Sequence, residues 1–226
     1  TGTSMASPNV TGSLLLLQEH YFNLYGTFML ASTLKGLALH TADDAGDTGP
    51  DANFGWGLLN TKKAAETLTI AAATSGSTIV KELTLNQGDT YQLIVQSNGV
   101  DPLLASISWT DIGGAVQTVV NDNSSRLVND LDVRLTNGTA YTPWKLTGVD
   151  SNGKGDNTVD PYERIDIDGA SGFYTLTVSH KGSLNAGSQI FSLIVSGIVV
   201  ATTPVISYST TSSSLIESTD CSATLV

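Results

Sequence analysis

The chain has 226 residues, with 10 Lys and Arg against 21 Asp and Glu, and its formal net charge is −11. This charge argues against binding to nucleic acid, whose phosphates need Lys and Arg, and against binding to anionic membrane surfaces. No apolar run is long enough to span a bilayer. The single cysteine, Cys221, cannot build a disulfide framework.

Three segments near the start of the chain have helical patterns. Residues 4–25 carry small and apolar side chains on every side as far as Leu17, which is typical of a buried helix. Residues 27–41 form a second, amphipathic stretch. A loop rich in Asp and Gly follows, and residues 61–68 are predicted to form a short third helix. The first region is therefore expected to be helical.

From residue 70 onward, apolar and polar residues alternate in many short segments that Gly, Asn and Asp separate. Many short strands with turn residues between them predict an antiparallel β-sandwich or jelly roll. The predicted strands are residues 81–85, 91–95, 104–109, 132–135, 174–178 and 191–195.

We therefore predict an α+β chain in three parts. Residues 1–69 are expected to be helical, and residues 70–200 to form the β-sandwich. Residues 201–226 are expected to be a linker followed by the truncated start of a further module, because their first part is rich in Thr and Ser and contains Pro204.

The first eight residues carry the strongest chemical signal. They read Thr-Gly-Thr-Ser-Met-Ala-Ser-Pro and place Ser4 between small residues at the start of a helix. A serine hydroxyl becomes a nucleophile when a base takes its proton and hydrogen-bond donors stabilise the oxyanion. The free N–H groups and the dipole of a helix N-terminus favour that negative charge. The alternative is an ordinary helix cap, since Ser and Thr are favoured caps of any helix.

The octet resembles the serine motif of the subtilisin-like serine proteases, the subtilases, whose pattern is Gly-Thr-Ser-Met-Ala-x-Pro. Residues 54–60, Phe-Gly-Trp-Gly-Leu-Leu-Asn, are similar to the family's closing Gly-x-Gly-x-x-Asn segment. Two motifs in the right order are more specific than one. The resemblance implies that Ser4 is the catalytic nucleophile and that its own backbone N–H is one donor of the oxyanion hole.

The same resemblance implies an activity and a partner. The reaction would be hydrolysis of polypeptide substrates through an acyl-enzyme on Ser4, with no cofactor required for the chemistry. The family's Asp, His and oxyanion-hole Asn lie upstream of this serine, and none of their motifs is in the chain. The resemblance therefore implies that residues 1–69 are the C-terminal part of a catalytic domain that is incomplete in this chain, and we expect its upstream half to be a partner. The chain is expected to be inactive alone.

A histidine of this chain is not expected to replace the missing base. His20 would lie roughly 24 Å from Ser4 along a helix that rises ~1.5 Å per residue. His40 falls at the end of the second helical stretch and His180 falls in the β region. Each is predicted to be a surface or core-edge residue.

The β region resembles the C-terminal β-sandwich of secreted bacterial subtilases, which is related to the P-domain of proprotein convertases. Its acidic turns have two interpretations. Asn and Asp commonly close turns by hydrogen-bonding their own backbone. Alternatively, the turns bind calcium, which prefers oxygen ligands and which sandwiches of this family often bind. The candidate calcium ligands are Asp130, Asp132, Asp156, Asn157 and Asp160.

Three hypotheses for function follow. The first is a fragment of a subtilisin-type serine endopeptidase that is secreted by a bacterium. The second is a non-catalytic β-sandwich that binds substrate or stabilises the protease. The third is the remnant of a pseudoenzyme whose parent has lost its His or Asp.

Overall fold

In the computed structural model, the described residues are 2–73, 76–120 and 124–199, with short strands at 207–208, 215–217 and 223–225. The predicted linker at 201–212 lies mostly outside the described residues, and Cys221 lies outside them entirely. Three α-helices come first in the chain, as the sequence predicts. They are α1 (Thr3–Tyr25), α2 (Ala31–Thr41) and α3 (Thr61–Ala72).

All six predicted strands are present, and the structure adds further strands to them. The strands are β1 (Ile79–Asn86), β2 (Tyr91–Ser97), β3 (Leu103–Trp109), β4 (Asp130–Thr136), β5 (Ala140–Tyr141), β6 (Trp144–Gly148), β7 (Ser151–Lys154), β8 (Tyr162–Ile167), β9 (Phe173–Lys181), β10 (Ser188–Ser196), β11 (Ile198–Val199), β12 (Ser207–Tyr208), β13 (Leu215–Glu217) and β14 (Ala223–Leu225).

Two antiparallel sheets make up most of the β region. One has four strands in the order β1-β10-β3-β8, and the other has five in the order β11-β2-β9-β4-β5. A hairpin of β6 and β7 and a small sheet of β12, β14 and β13 complete the described strands. Helices and antiparallel sheets together confirm the α+β class.

One hydrophobic core is shared by the two large sheets. Alternate residues of a strand point to the same face, and the inward set is buried in both sheets. Strands β3 and β10 of the four-stranded sheet and strands β4 and β9 of the five-stranded sheet contribute most of these buried side chains. They include Leu103, Ile107, Trp109, Phe191, Leu193, Leu131, Val133, Leu135, Leu176 and Val178.

Helix α1 is less buried than its composition predicts. Among its residues only Leu17 is buried, while Met5, Leu15 and Leu16 are 67%, 70% and 61% exposed. The expectation of a buried helix is wrong for this chain, because the described residues cover α1 along one side alone. Leu17 packs there in a small cluster with residues of α2 and α3. None of the described helices has the length and apolar content to cross a membrane.

Helix α2 packs on the outer face of the four-stranded sheet through polar side chains. Ser32 and Thr33 both share hydrogen bonds with Ser192 of β10, at 2.9 and 2.8 Å. Ser108 of β3 donates to the carbonyl oxygen of Ser32 at 2.7 Å. We call this contact between α2 and the sheet the polar seam. Because buried polar groups need partners, these bonds restrict how the helix can sit.

His40 closes the C-terminal end of the polar seam. Its Nδ1 lies 2.8 Å from Ser106 Oγ and its Nε2 lies 2.9 Å from Ser196 Oγ. Burial, with a smaller contribution from the nearby guanidinium of Arg164, lowers the pKa of His40 to about 3. The ring is therefore neutral near pH 7 and holds two strands to one helix.

Gly36 allows the close approach of α2, and its replacement should weaken the polar seam. A β-carbon at this position would overlap Ser108 Oγ and lie 3.1 Å from Ser108 Cβ. We expect Gly36→Ala to lower the free energy of unfolding by about 1–3 kcal/mol, the usual cost of overpacking. Urea unfolding of the purified chain measures this change.

The matched control is Gly12→Ala in α1, where an added β-carbon meets nothing within 4 Å. Alanine is the better helix former by about 1 kcal/mol, so this variant should be as stable as the parent or more so. A Gly36→Ala variant as stable as the Gly12→Ala variant would contradict a close contact at Gly36.

Candidate functional site

Ser4 is the second residue of α1 and is exposed. The hydrogen bonds at the start of the helix begin with the N–H groups of Met5 and Ala6, which both donate to the carbonyl oxygen of Gly2. The N–H of Ser4 lies ahead of these bonds and belongs to the amides that a helix leaves without internal partners. This position suits both interpretations of the octet, a helix terminus and an oxyanion donor.

Two neighbours of Ser4 affect the backbone at the start of the helix. Gly2 has φ 166°, which is extended backbone open to any residue, so no tight turn requires a glycine there. Pro8 lies inside the helix rather than in its first turn. Since proline has no N–H, the carbonyl oxygen of Ser4 lacks the donor that a helix normally supplies four residues later. Both polar groups of the Ser4 backbone are thus outside the helical ladder.

The three histidines each bond to residues other than Ser4. His20 Nε2 lies 2.9 Å from Thr69 Oγ1 of α3, and His40 belongs to the polar seam. His180 Nε2 accepts a hydrogen bond from the N–H of Gly88 at 2.8 Å. Within the described residues, these contacts give the rings structural roles.

The second motif, residues 54–60, joins the helical region to the β region. The ring of Trp56 meets Tyr162 edge-on at 5.1 Å, and the guanidinium of Arg164 lies 4.6 Å from the ring centroid of Trp56. Asn60 caps α3 by accepting a hydrogen bond from Lys63 N–H at 2.8 Å. The motif therefore both starts α3 and contacts β8.

A cleft of about 800 Å³ lies where the helices meet the sheets. Arg164 in its wall binds Asp166 through Nε and Nη2, both at 2.8 Å. Trp144 Nε1 donates to the same carboxylate at 3.0 Å, and Lys154 Nζ lies 3.6 Å from the centroid of the Trp144 ring. Lysine, arginine and aspartate side chains are mixed along the walls, so charge does not favour one class of ligand.

Three of the five candidate calcium ligands come together, around a lysine. Lys181 Nζ lies 3.4 Å from Asp130, 3.0 Å from Asp132 and 2.9 Å from Asp156. Arg134 forms ion pairs with Asp132 at 2.9 Å and with Asp156. We call these five residues the charged cluster. Each of its three aspartates is already paired with at least one of two protein cations.

The other two candidates bond within their own turn. Asn157 Nδ2 donates to Asp160 Oδ2 at 3.2 Å, and Asn157 Oδ1 accepts from the N–H groups of Val159 and Asp160. In the part of the chain that the structure describes, no group of three or more His, Cys, Asp or Glu side chains is arranged to hold a metal ion. These contacts support turn and ion-pair chemistry, and calcium binding stays a prediction.

Glu163 is a buried carboxyl between the two sheets. Glu163, Ile165 and Ile167 occupy alternate positions along β8 and therefore share a face. The Glu163 side chain is 0% exposed. Oε2 accepts a hydrogen bond from Val133 N–H of β4 at 2.7 Å and lies 3.7 Å from Arg134 Nη1. Oε1 finds no hydrogen-bond partner among the described residues. Burial raises the pKa of Glu163 to about 8, so the carboxyl is mostly protonated at neutral pH.

No motif of the sequence marks Lys181, Arg134 or Glu163 as a site residue. A signal existed for Glu163, because Glu163, Ile165 and Ile167 occupy alternate positions and strand residues at such positions share a face. For Lys181 no local signal existed, because its partners lie on β4 and before β8.

The N-terminal segment is similar in sequence to known proteins. The sequence model of the Subtilase family matches residues 1–57. Over 63 residues the chain is 40% identical to serotype-specific antigen 1 of Mannheimia haemolytica, a stretch that covers 28% of this chain and 6% of that protein. It is 43% identical over 63 residues to the Neisserial autotransporter lipoprotein NalP of Neisseria meningitidis serogroup B, covering 28% of the chain and 5% of the relative.

An extracellular serine protease of Serratia marcescens is 38% identical over 64 residues, which cover 28% of this chain and 6% of the relative. The matched stretch is thus a small part of each of these relatives. The N-terminal segment is that of a subtilisin-like protein.

The raised pKa of Glu163 predicts a specific dependence of stability on pH. The folded-state pKa of about 8 lies above the ordinary 4.5, so the contribution of this carboxyl is fully present below pH 4.5 and is lost as pH rises through 8. The loss amounts to at most about 1.4 kcal/mol per pH unit in that window. We expect Glu163→Gln to remove this loss, so that the variant gains stability relative to the parent as pH rises.

Urea unfolding at several pH values between 4.5 and 8 measures the difference. The control is Glu66→Gln, whose exposed ion pair with Lys62 should be worth less than about 1 kcal/mol at any pH. A constant difference between the Glu163→Gln variant and the parent across this range would show that folding does not raise the pKa of this carboxyl.

Proposed function

From the subtilisin-like character of residues 1–57, we propose that the protein containing this chain is a serine endopeptidase of the subtilisin type, with Ser4 as its nucleophile. The main support is that the matched segment contains both the serine octet and most of the second motif, residues 54–60. The position of Ser4 in the first turn of α1 is consistent with this role.

The chemistry assigned to Ser4 is acyl transfer. Its Oγ would attack the carbonyl carbon of a peptide bond while a base takes the hydroxyl proton, and its N–H would donate to the oxyanion. The base must come from outside this chain, since His20, His40 and His180 bond elsewhere. In subtilisin, the type member of this family, loss of triad residues costs about 10⁴- to 10⁶-fold in rate. We therefore propose that this chain alone is nearly inactive.

The exposed side of α1 supports an upstream partner. Large apolar side chains there are accessible, among them Met5, Leu15 and Leu16. Contiguous apolar surface on a soluble protein commonly marks an interaction site. We propose that the upstream half of the catalytic domain covers this side of α1 and supplies the Asp, His and Asn of the site.

The β region has a second candidate role, as a module that stabilises the protease. Its two antiparallel sheets around one core support a β-sandwich of the P-domain kind. The specific observation in favour of stabilisation is the polar seam, through which β3 and β10 hold α2. The three-part division at residues 69 and 200 stays a proposal.

The relatives support an extracellular location. One is named an extracellular serine protease and another an autotransporter lipoprotein. We propose that the protein containing this chain is secreted by a bacterium and acts on polypeptides outside the cell.

Replacement of Ser4 tests the proposed nucleophile. The full-length protein should react with a serine-directed fluorophosphonate probe and cleave casein, and Ser4→Ala should abolish both, with a loss in rate on the order of 10⁶-fold. Ser7→Ala is the matched control, because Ser7 occupies the variable position of the same octet.

Normal cleavage of casein by the Ser4→Ala protein would exclude Ser4 as the nucleophile. Absence of probe labelling in a well-folded full-length parent would favour the pseudoenzyme.

Calcium removal tests the remaining proposal for the acidic turns. A ligand that binds only the native state adds about 2.7 kcal/mol at a hundredfold excess over its Kd. If calcium binds, the midpoint of thermal unfolding should therefore be several degrees higher in millimolar calcium than in EDTA. Identical midpoints would leave Lys181 and Arg134 as the partners of Asp130, Asp132 and Asp156.

A further inference from the structure

The chain contains three Asn-Gly pairs, at residues 98–99, 137–138 and 152–153. In such a pair the backbone nitrogen of glycine can attack the side-chain carbonyl carbon of the preceding asparagine, since glycine has no β-carbon to obstruct it. The reaction requires that the nucleophilic N–H and the side-chain amide be free to meet. The three pairs differ in this respect.

The side chain of Asn152 is held at two points. Its Nδ2 donates to the carbonyl oxygens of Thr48 and Pro50, both at 2.9 Å. Its backbone lies in β7, where Asn152 is paired with Leu146 of β6. Both the side chain and the backbone must therefore be released before the ring of the succinimide can close.

At Asn98, the attacking nitrogen of Gly99 and the leaving nitrogen of the asparagine side chain both make hydrogen bonds. The N–H of Gly99 donates to Ser97 Oγ at 3.1 Å, and Asn98 Nδ2 donates to Asp101 Oδ2 at 2.8 Å. Asn98 Oδ1 also accepts from the N–H groups of Val100 and Asp101, both at 2.9 Å. Rotation of this side chain would break several bonds at once.

Asn137 is different, because it lies in the exposed turn between β4 and β5. Its side chain makes one long hydrogen bond, from Thr139 N–H to Oδ1 at 3.3 Å. Among the described residues, neither Asn137 Nδ2 nor the N–H of Gly138 has a hydrogen-bond partner. The attacking and leaving nitrogens are thus both free.

From this contrast we propose that Asn137 is a site of spontaneous deamidation through a succinimide, whereas Asn98 and Asn152 are protected by their hydrogen bonds. The bond from Gly138 N to Asn137 Cγ forms, the bond from Cγ to Nδ2 breaks, and the amide proton leaves with ammonia. Water then opens the ring on either side of the imide nitrogen and gives aspartate or isoaspartate. No oxidant or cofactor is needed.

The product changes the turn in two ways. A carboxylate replaces a neutral amide and adds one negative charge to a chain whose net charge is already −11. Where isoaspartate forms, the main chain also gains a methylene group between β4 and β5. The deamidated fraction at Asn137 therefore rises with the age of the protein, whether or not the proposed protease activity is present.

Peptide mapping of the native chain after incubation at mildly alkaline pH tests the proposal. Each hydrogen bond that must break first should slow the reaction by about twofold to tenfold. We therefore expect Asn137 to convert to aspartate and isoaspartate at least about fourfold faster than Asn98 or Asn152. In urea the three rates should converge. A native rate at Asn98 or Asn152 equal to that at Asn137 would overturn the proposal, and so would an Asn137 that reacts only in urea.

A variant tests the protective bonds directly. Asp101→Ala removes the acceptor of Asn98 Nδ2 and should raise the native rate at Asn98 by about twofold to tenfold. Asp89→Ala is the matched control, since it removes the equivalent exposed bond from Asn86 Nδ2, at 2.9 Å. An unchanged rate at Asn98 in the Asp101→Ala variant would show that hydrogen bonding does not control the selectivity.

Discussion

The hydrogen-bonded packing of α2 on the four-stranded sheet is the constraint on which the rest of the arrangement depends. Small polar residues on both sides let the helix approach closely, and each buried hydroxyl finds a partner across the contact. An apolar contact of the same size could slide, because hydrophobic attraction has no direction. Hydrogen bonds are directional, so the polar seam sets both the distance and the register between the helical and β regions.

The positions of the other two helices depend on that of α2. Gln18 of α1 exchanges two hydrogen bonds with the backbone of Met29, just before α2 begins, and His20 joins α1 to α3. On the far side, Arg164 donates to the carbonyl oxygen of Leu39 at 3.1 Å and so ties β8 to the end of α2. The position of the helix that carries Ser4 therefore depends on a sheet whose strands are distant in the chain, with Ser192 lying 160 residues after Ser32.

Local sequence patterns predicted much of the fold. Where they failed, the cause was that a local pattern does not identify the residues that pack against an element. Helical periodicity and strand alternation located three helices and six strands, because these signals depend on which face of an element is buried. Strand β8 was missed because Glu163 and Arg164 are both buried, so its polar residues do not mark a solvent face. The predicted burial of α1 was wrong because its apolar surface indicates contact but does not supply the contacting residues.

The sequence by itself determined the nature of the N-terminal segment, since the serine octet and the Gly-x-Gly-x-x-Asn motif are contiguous patterns that need no partner to be recognised. The α+β class and most element positions follow from short-range periodicity in the same way. Tertiary structure alone decided which charges meet. Lys181 of β9 reaches aspartates of β4 and of the segment before β8, and three identical Asn-Gly pairs acquire different environments. Both outcomes depend on residues distant in sequence, whose proximity arises only when the sheets pair and the helices pack.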